Sequence, residues 1–229
     1  MRRLRRDGAF LLAGLLAVTA WDATALDLPI SRLFADSHGF GWRDHWLFAG
    51  VLHEGAKWFA WAIGGLLLIN IWRPFPFARG CPRPLRIWWL ATTLACVALI
   101  PAMKQFSLTS CPWSLAEFGG TARYVSHWAF GVTDGGPGRC FPAGHASTAF
   151  SFLAGYFALR DSAPAAARRW LLATLAFGVV LGGVQLVRGA HFASHSLWTA
   201  WWCWALTVVS FHATMTLRLG RTATPLHSS

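Results

Sequence analysis

The chain has 229 residues, of which 55% are hydrophobic and 13% are charged, and its formal net charge is +11. A water-soluble domain carries about 25% charged residues, so this composition indicates a membrane protein with several spans. The positive charge lies in short arginine clusters between apolar runs, without a nucleic-acid-binding motif, which argues against nucleic acid as a partner. The five cysteines lack the short paired spacing of a disulfide framework or a zinc finger.

Apolar segments follow one another along the chain, each near the ~20 residues that a helix needs to cross the hydrocarbon core. They are residues 9–26, 46–72, 87–103, 145–159, 170–187 and 196–217. The sequence therefore predicts an all-α fold, a six-transmembrane-helix bundle formed by a single domain over residues 1–229. The start "MRRLRR" and its apolar run also fit a cleavable signal peptide, but the later spans export the loops without cleavage. An uncleaved first helix is the simpler interpretation.

The basic residues alternate between the two sides of the predicted bundle. Thirteen of the 20 fall on one side: Arg2, Arg3, Arg5, Arg6, Arg73, Arg79, Arg83, Arg86, Arg160, Arg168, Arg169, Arg218 and Arg221. The positive-inside rule then predicts both termini in the cytoplasm, and the composition fits a bacterial inner membrane. The opposite, outer side receives residues 27–45 and the long loop at about 104–144. Long loops in compact proteins are usually functional.

Three stretches with basic and histidine side chains meet at this outer side. They are "KQFSLTSCPW" from Lys104, "CFPAGH" ending at His145, and "RGAHFASH" from Arg188 to His195. Cationic donors and the start of a helix favour an anionic group such as phosphate. Histidine acts as a nucleophile or as a general acid near neutral pH, so the pattern predicts phosphoryl chemistry.

These stretches resemble the three motifs of the type 2 phosphatidic acid phosphatase superfamily, which are K-x6-R-P, P-S-G-H and S-R-x5-H-x3-D. The positions that agree are Lys104, Pro112, Pro142, Gly144, His145 and His191. The positions that depart are Cys111 for the first-motif Arg, Ala143 for Ser, Val184 and Gln185 for the third-motif Ser and Arg, and His195 for Asp. The motifs occur in the family's order and fall on one predicted side of the membrane.

The resemblance implies a metal-independent, cofactor-free membrane phosphatase with its active site outside. His191 would attack phosphorus to give a phosphohistidine, and His145 would protonate the leaving oxygen and then activate water. The implied phosphate-binding groups are Lys104, Arg188, Arg123, Arg139, Gln185 and the backbone N–H groups of Ala143 and Gly144. Arg123 or Arg139 would replace the arginine lost at Cys111.

His195 is the exceptional member of the third motif. A neutral imidazole can accept a hydrogen bond from His191 and hold its orientation, but it brings no negative charge. Candidates for that charge near the outer surface are Glu54, Glu117 and Asp134. Glu54 also stands one helical turn from Lys57, and this pair either lines the site or only satisfies itself.

Several alternatives remain open at the level of sequence. His191 and His195, spaced i and i+4, would suit zinc with His145 as a third ligand. Cys111 and Cys140 border the outer loop in an oxidising compartment, where they form either a disulfide or two free thiols. The expected partners are a lipid phosphate and membrane lipids, with no obligatory protein partner. Alternative functions are a lipid phosphotransferase of the same fold, a transporter or a non-catalytic membrane protein.

Overall fold

In the computed structural model, which describes residues 2–222 and side chains up to residue 217, the chain is helical and has no β-strand. The α-helices of this part are α1 (Arg2–Ala23), α2 (Asp27–Arg32), α3 (Gly55–Trp72), α4 (Arg83–Gln105), α5 (Gly144–Phe150), α6 (Ala154–Leu159), α7 (Pro164–Val187) and α8 (Ala193–Thr222). A π-helix, Leu47–Glu54, runs directly into α3. Short 3-10 helices lie at Pro76–Ala78, Pro112–Ser114, Ala116–Phe118 and Ser151–Leu153. The all-α prediction is confirmed.

Among the described residues, three helical segments are long and apolar enough to cross a membrane, which indicates a membrane protein. They are Leu47–Trp72, Arg83–Gln105 and Pro164–Val187. The other expected spans are also helical, in α1, in α5 with α6, and in α8. That all six cross the membrane stays a prediction. The side chains of Arg218 and Arg221, which were assigned to the cytoplasmic side, lie outside the described residues.

The fourth segment, residues 144–159, is the shortest and forms the centre of the bundle. It consists of α5, a 3-10 turn and α6, and it packs against α4, α7 and α8. Nearly every residue from Ala146 to Leu159 is buried. Neighbouring helices surround this segment on all these sides, so most of its side chains pack against protein.

Large apolar side chains point outward from the peripheral helices. Leu16 on α1, Trp58 on α3 and Val179 on α7 are 69%, 71% and 71% exposed. Such side chains on several helices form a larger apolar surface than a water-soluble monomer normally carries. The arrangement agrees with helices that face lipid on the outside and protein on the inside.

The long loop, residues 106–143, covers one end of the bundle, which we call the loop end. Phe40, Leu115, Phe118, Ala122 and Phe192 form an apolar cluster there and join the loop to the start of α8. A disulfide between Cys111 and Cys140 fastens the base of the loop, with 5.2 Å between the two Cα atoms. The ends of α4, α5, α7 and α8 therefore meet beneath a loop whose base is fixed by the disulfide.

The opposite end of the bundle is held by a buried ionic cluster. Arg160 donates to the Asp7 carboxylate at 2.8 Å, and Nε2 of His212 lies 2.9 Å from the same oxygen. The Arg160 guanidinium also lies over the rings of Phe157 and Phe211, at 4.4 and 4.7 Å. This cluster ties α1 to α6 and α8, so α1 is an integral part of the packing.

Candidate active site

The turn between α7 and α8 places His191 inside the protein. Gly189 has φ +68°, and the N–H groups of Gly189 and Ala190 donate to the carbonyls of Leu186 and Gln185 at 2.9 and 2.8 Å. These bonds form a Schellman motif, in which glycine supplies the left-handed residue that ends the helix. The N–H of His191 donates to the same Gln185 carbonyl at 3.2 Å, which fixes the backbone of this histidine.

His191 and His195 face each other across one turn of chain. Their Nδ1 atoms are 3.4 Å apart, and the two residues are 3% and 0% exposed. Nδ1 of His191 is also 3.4 Å from Sγ of Cys140. Because Nδ1 is engaged in this way, Nε2 is the nitrogen of His191 that remains for chemistry.

The environment of His191 keeps its imidazole neutral. Burial lowers the pKa of His191 well below its usual range, and the positive charges of His195, Lys104 and His145 act in the same direction. A neutral imidazole retains the lone pair that a nucleophile needs. The position is therefore suited to nucleophilic attack at neutral pH.

His145 lies in the first turn of α5, on the other side of the candidate site from His191 and His195. Its ring packs against the ring of His53, with 3.8 Å between the centroids and 33° between the planes. Lys104, in the last turn of α4, reaches this region, since a Cβ added at Gly144 would lie 3.9 Å from its Nζ. Lys104 and Arg188 both lie close enough to His145 to interact with its charge. His53 was not predicted as a site residue, although it stands next to Glu54 of the Glu54–Lys57 pair.

Two of the predicted cationic side chains, Arg123 and Arg139, lie away from the histidines. Nη2 of Arg123 donates to the Thr133 carbonyl at 3.3 Å, within the long loop. Arg139 is exposed, and its backbone N–H donates to Ser107 at 2.7 Å. Among the described residues, neither side chain forms a hydrogen bond with His145 or His191. Lys104 and Arg188 are thus the predicted cations that the structure brings to the histidines.

The predicted acidic groups have other partners. Glu54 contacts His53 at 3.1 Å and Lys57 at 3.7 Å, so the Glu54–Lys57 pair adjoins the site and is paired as well. Glu117 pairs with Arg32 on the surface. Asp134 accepts from the N–H and hydroxyl of Ser110, inside the long loop. None of these carboxylates contacts His195 in the described part of the chain.

The zinc alternative has little support in the geometry. Among the described residues, the group with atoms close enough to share one ion is Cys111, Cys140 and His191. The two sulfurs are joined in a disulfide and cannot serve as thiolate ligands. His145 and His195 do not join His191 in such a group, so one nitrogen ligand remains where zinc requires at least three protein ligands.

A comparison with known protein families shows which family the chain belongs to. The family model of the PAP2 superfamily matches residues 85–219, from the start of α4 to the end of α8. The chain belongs to the PAP2 superfamily. No curated protein and no solved structure gives a significant match. Membership supports a phosphatase-type function and a phosphate-bearing substrate, as expected from the three motifs.

Three departures from the PAP2 motifs have a structural context. Cys111, at the first-motif Arg position, forms the disulfide next to His191. Gln185, at the third-motif Arg position, is buried and lies 3.5 Å from Nη1 of Arg188, whose Nε donates to the Arg43 carbonyl at 2.8 Å. The Ala143 N–H, predicted as a phosphate ligand, instead donates to the His195 carbonyl at 3.2 Å. Arg188 thus stands one turn from the motif position and still reaches the site.

His195, at the third-motif Asp position, has neighbours that sequence analysis missed. The His127 ring lies 5.8 Å from the His195 ring and nearly perpendicular to it. Nε2 of His127 lies 3.3 Å from the Asp22 carboxylate, which comes from the end of α1. Asp22, His127 and His195 are far apart in the sequence and follow no motif spacing. They meet because folding brings α1, the long loop and α8 together.

Proposed function

We propose that this PAP2 protein is a six-helix membrane phosphatase, acting as one domain, that hydrolyses a lipid phosphate or diphosphate at the outer leaflet. The observation that carries the proposal is the buried His191, which is neutral, oriented through Nδ1 and close to the charge of Lys104, while Arg188 lies close to His145. Preorganised positive groups of this kind usually supply the largest share of catalysis in phosphoryl transfer.

The proposed reaction has two displacements at phosphorus. Nε2 of His191 attacks the phosphorus while its bond to the leaving oxygen breaks, and His145 donates a proton to that oxygen. Water then attacks the phosphohistidine, His145 takes a proton from the water, and the N–P bond breaks to release inorganic phosphate. Lys104 and Arg188 stabilise the charge of the transferring group, and Gln185 orients Arg188 through their contact of 3.5 Å.

A lipid substrate is supported by an apolar groove that begins beside the histidines. The groove has a volume of about 380 Å³ and is lined by Lys57, Gly64, Gly65, Leu68, Leu90 and Thr148. Thr148 stands one turn from His145, and Lys57 one turn from His53. The glycines leave room between α3 and α4, so a chain attached to the phosphate has an apolar path into the membrane-spanning part.

The outer-face location is supported by two independent properties of the chain. The long loop carries a disulfide between Cys111 and Cys140, and structural disulfides persist in oxidising compartments such as the bacterial periplasm. The positive-inside rule assigns the same loop to the outer side. We therefore propose an inner-membrane protein with cytoplasmic termini and a periplasmic active site.

Release of inorganic phosphate from a panel of lipid phosphates tests the function, with detergent-solubilised protein and a chelator present. The panel contains isoprenyl diphosphate, phosphatidylglycerol phosphate, phosphatidate and lipid A. We expect turnover of at least one substrate, and a loss of about 10⁴-fold or more in His191→Ala and His145→Ala. His38→Ala changes an exposed histidine in a turn and serves as the matched control, with activity retained.

Each other result contradicts a part of the proposal. Inhibition of the wild-type protein by the chelator alone favours zinc chemistry. Transfer of the phosphoryl group to an added acceptor lipid, in place of phosphate release, favours the phosphotransferase. No turnover of any substrate by folded protein favours a transporter or a non-catalytic member of the PAP2 superfamily.

A further inference from the structure

The hydrogen bonding of His195 leaves one of its nitrogens without a partner. If Nδ1 of His191 donates its proton, then Nδ1 of His195 accepts it, and a neutral His195 carries its own proton on Nε2. This Nε2 atom is fully buried and has no hydrogen-bond partner among the described residues. An unpartnered buried donor costs about 1–3 kcal/mol. The position is maintained at a cost, which points to a role beyond packing.

A second imidazole besides that of His191 packs against His195, namely the ring of His127. It lies nearly perpendicular to His195 with 5.8 Å between the centroids, and it stacks on Phe141 at 4.2 Å and 9°. The side chains of His127 and Asp22 are 8% and 10% exposed, so their contact of 3.3 Å is largely shielded from water. Burial lowers the pKa of His127, and the Asp22 carboxylate opposes this shift.

Two indole N–H groups and one imidazole nitrogen meet at one oxygen of Asp22. Nε1 of Trp128 and Nε1 of Trp198 each donate to Oδ2 at 2.8 Å, and Nε2 of His127 lies 3.3 Å from the same oxygen. Oδ1 is buried without a partner among the described residues. No lysine or arginine neutralises this carboxylate within hydrogen-bond reach in the described part of the chain. Its negative charge lies next to His127, whose ring packs against His195.

A second carboxylate supports the same end of α8. Asp27 accepts from the backbone N–H of Ser194 at 3.0 Å and from the hydroxyl of the same residue. Asp22, Asp27, Tyr124 and His127 line a polar cavity of about 20 Å³, which is large enough for one water molecule. On the other side of His195, Lys104 contributes positive charge. Asp22 and Asp27 are the carboxylates that lie near His127.

We propose that Asp22, acting through His127 and His195, supplies the negative charge that the third-motif Asp would bring at the position of His195. This inference rests on the proposed function. When Nε2 of His191 attacks phosphorus, its ring becomes cationic, and the proton on Nδ1 is shared with Nδ1 of His195. The Asp22–His127 pair stabilises this charge and keeps His195 in the accepting orientation. Asp22 and His127 are positioning residues, because neither touches the substrate.

A double-mutant cycle between Asp22→Asn and His195→Asp tests the proposal. Asp22→Asn alone is expected to lower kcat by about 10- to 100-fold, less than the roughly 10⁴-fold loss on neutralising a carboxylate bonded directly to a catalytic histidine. His195→Asp places the charge next to His191, so Asp22→Asn then costs less than about threefold. An equal loss in both backgrounds shows a purely structural role for Asp22 and overturns the proposal.

A readout that does not need turnover separates this inference from the proposed function. ¹⁵N NMR of labelled histidine gives the tautomer and the pKa of His191 in detergent-solubilised protein. We expect the Nδ1–H tautomer in the wild type, and a loss of this preference together with a further fall in the pKa in Asp22→Asn and His127→Asn. Asp134→Asn, a buried carboxylate of the long loop, is the matched control and leaves both quantities unchanged. Unchanged spectra in Asp22→Asn overturn the inference, whereas absent turnover with the expected spectra overturns the proposed function alone.

Discussion

At the scale of single residues, His191 combines three properties that its sequence position alone does not reveal. It is 3% exposed, its Nδ1 faces His195, and its backbone is fixed by the turn at Gly189. The nearby cations, Lys104 and Arg188, come from two different helix ends. An imidazole in this environment is neutral and oriented before any substrate binds, so the attack on phosphorus that we propose needs little reorganisation.

The lowered pKa of His191 predicts acid sensitivity of the fold. The unfolded chain takes up a proton on this histidine near pH 6.5, whereas the folded protein does so only at lower pH. The free energy of unfolding therefore falls as the pH drops below about 6.5, by at most about 1.4 kcal/mol per pH unit for this group.

Thermal unfolding in detergent between pH 8 and pH 5 measures this effect. His191→Asn is expected to show a smaller loss of stability on acidification than the wild type, because the substituted group does not titrate. His38→Asn, at an exposed position, keeps the wild-type slope. Parallel curves for His191→Asn and the wild type contradict the assigned role of burial.

At the scale of secondary-structure elements, close contact between α5 and α7 determines where His145 stands. Gly178 on α7 lies against Phe150 on α5, and a Cβ at that glycine would be 2.2 Å from Cε1 of the ring. Phe150 is buried, so the ring has little room to move away. The position of α5, and with it His145 in its first turn, depends on a glycine at this crossing.

A pair of glycine substitutions on α7 tests this dependence. Gly178→Ala is expected to destabilise the protein by about 1–3 kcal/mol through overpacking against Phe150. Gly183→Ala is the matched control, because no atom lies within 4 Å of a Cβ at that position. It is expected to stabilise the helix by about 0.5–1 kcal/mol. Denaturation in detergent compares the two variants, and equal effects contradict the inferred crossing.

At the scale of the whole molecule, the disulfide closes the long loop beside the turn that carries His191. Cys111 and Cys140 are 29 positions apart, and the sulfur of Cys140 contacts His191 at 3.4 Å. Closing a loop of this length restricts the unfolded chain by about 3–4 kcal/mol in the chain-entropy model. The same bond also holds Cys140 against His191, so we expect both stability and the proposed activity to depend on it.

Reduction of the disulfide is expected to lower both the unfolding temperature and kcat. The double variant Cys111→Ser/Cys140→Ser should reproduce the reduced wild type, with a stability loss of about 3–4 kcal/mol. Added reductant then has no further effect on the variant, which controls for other actions of the reagent. Full activity in the double variant contradicts a role for this bond in positioning His191.

The helices could be predicted closely from the apolar runs, because length and hydropathy are local properties of a sequence. The predicted segments 46–72 and 87–103 correspond to Leu47–Trp72 and Arg83–Gln105. Interruptions within helices could not be predicted in this way. The π-helix at Leu47–Glu54 and the 3-10 turn at Ser151–Leu153 interrupt otherwise apolar runs. Packing against neighbouring helices determines these local changes in helical winding. The hydrophobic periodicity of the sequence does not reveal that packing.

The sequence by itself determined the family, through Lys104, His145 and His191 in ordered motifs, and the helical class of the fold. Only the tertiary structure decided which other groups reach them. In the folded chain, Arg123 and Arg139 lie away from the histidines. His53 lies against His145, and the Asp22–His127 pair lies beside His195. Motifs are visible because each of these residues has particular neighbours at a fixed short spacing within its own stretch of sequence. The groups that hold a catalytic residue in place need only proximity in space, and any segment of the chain can supply them.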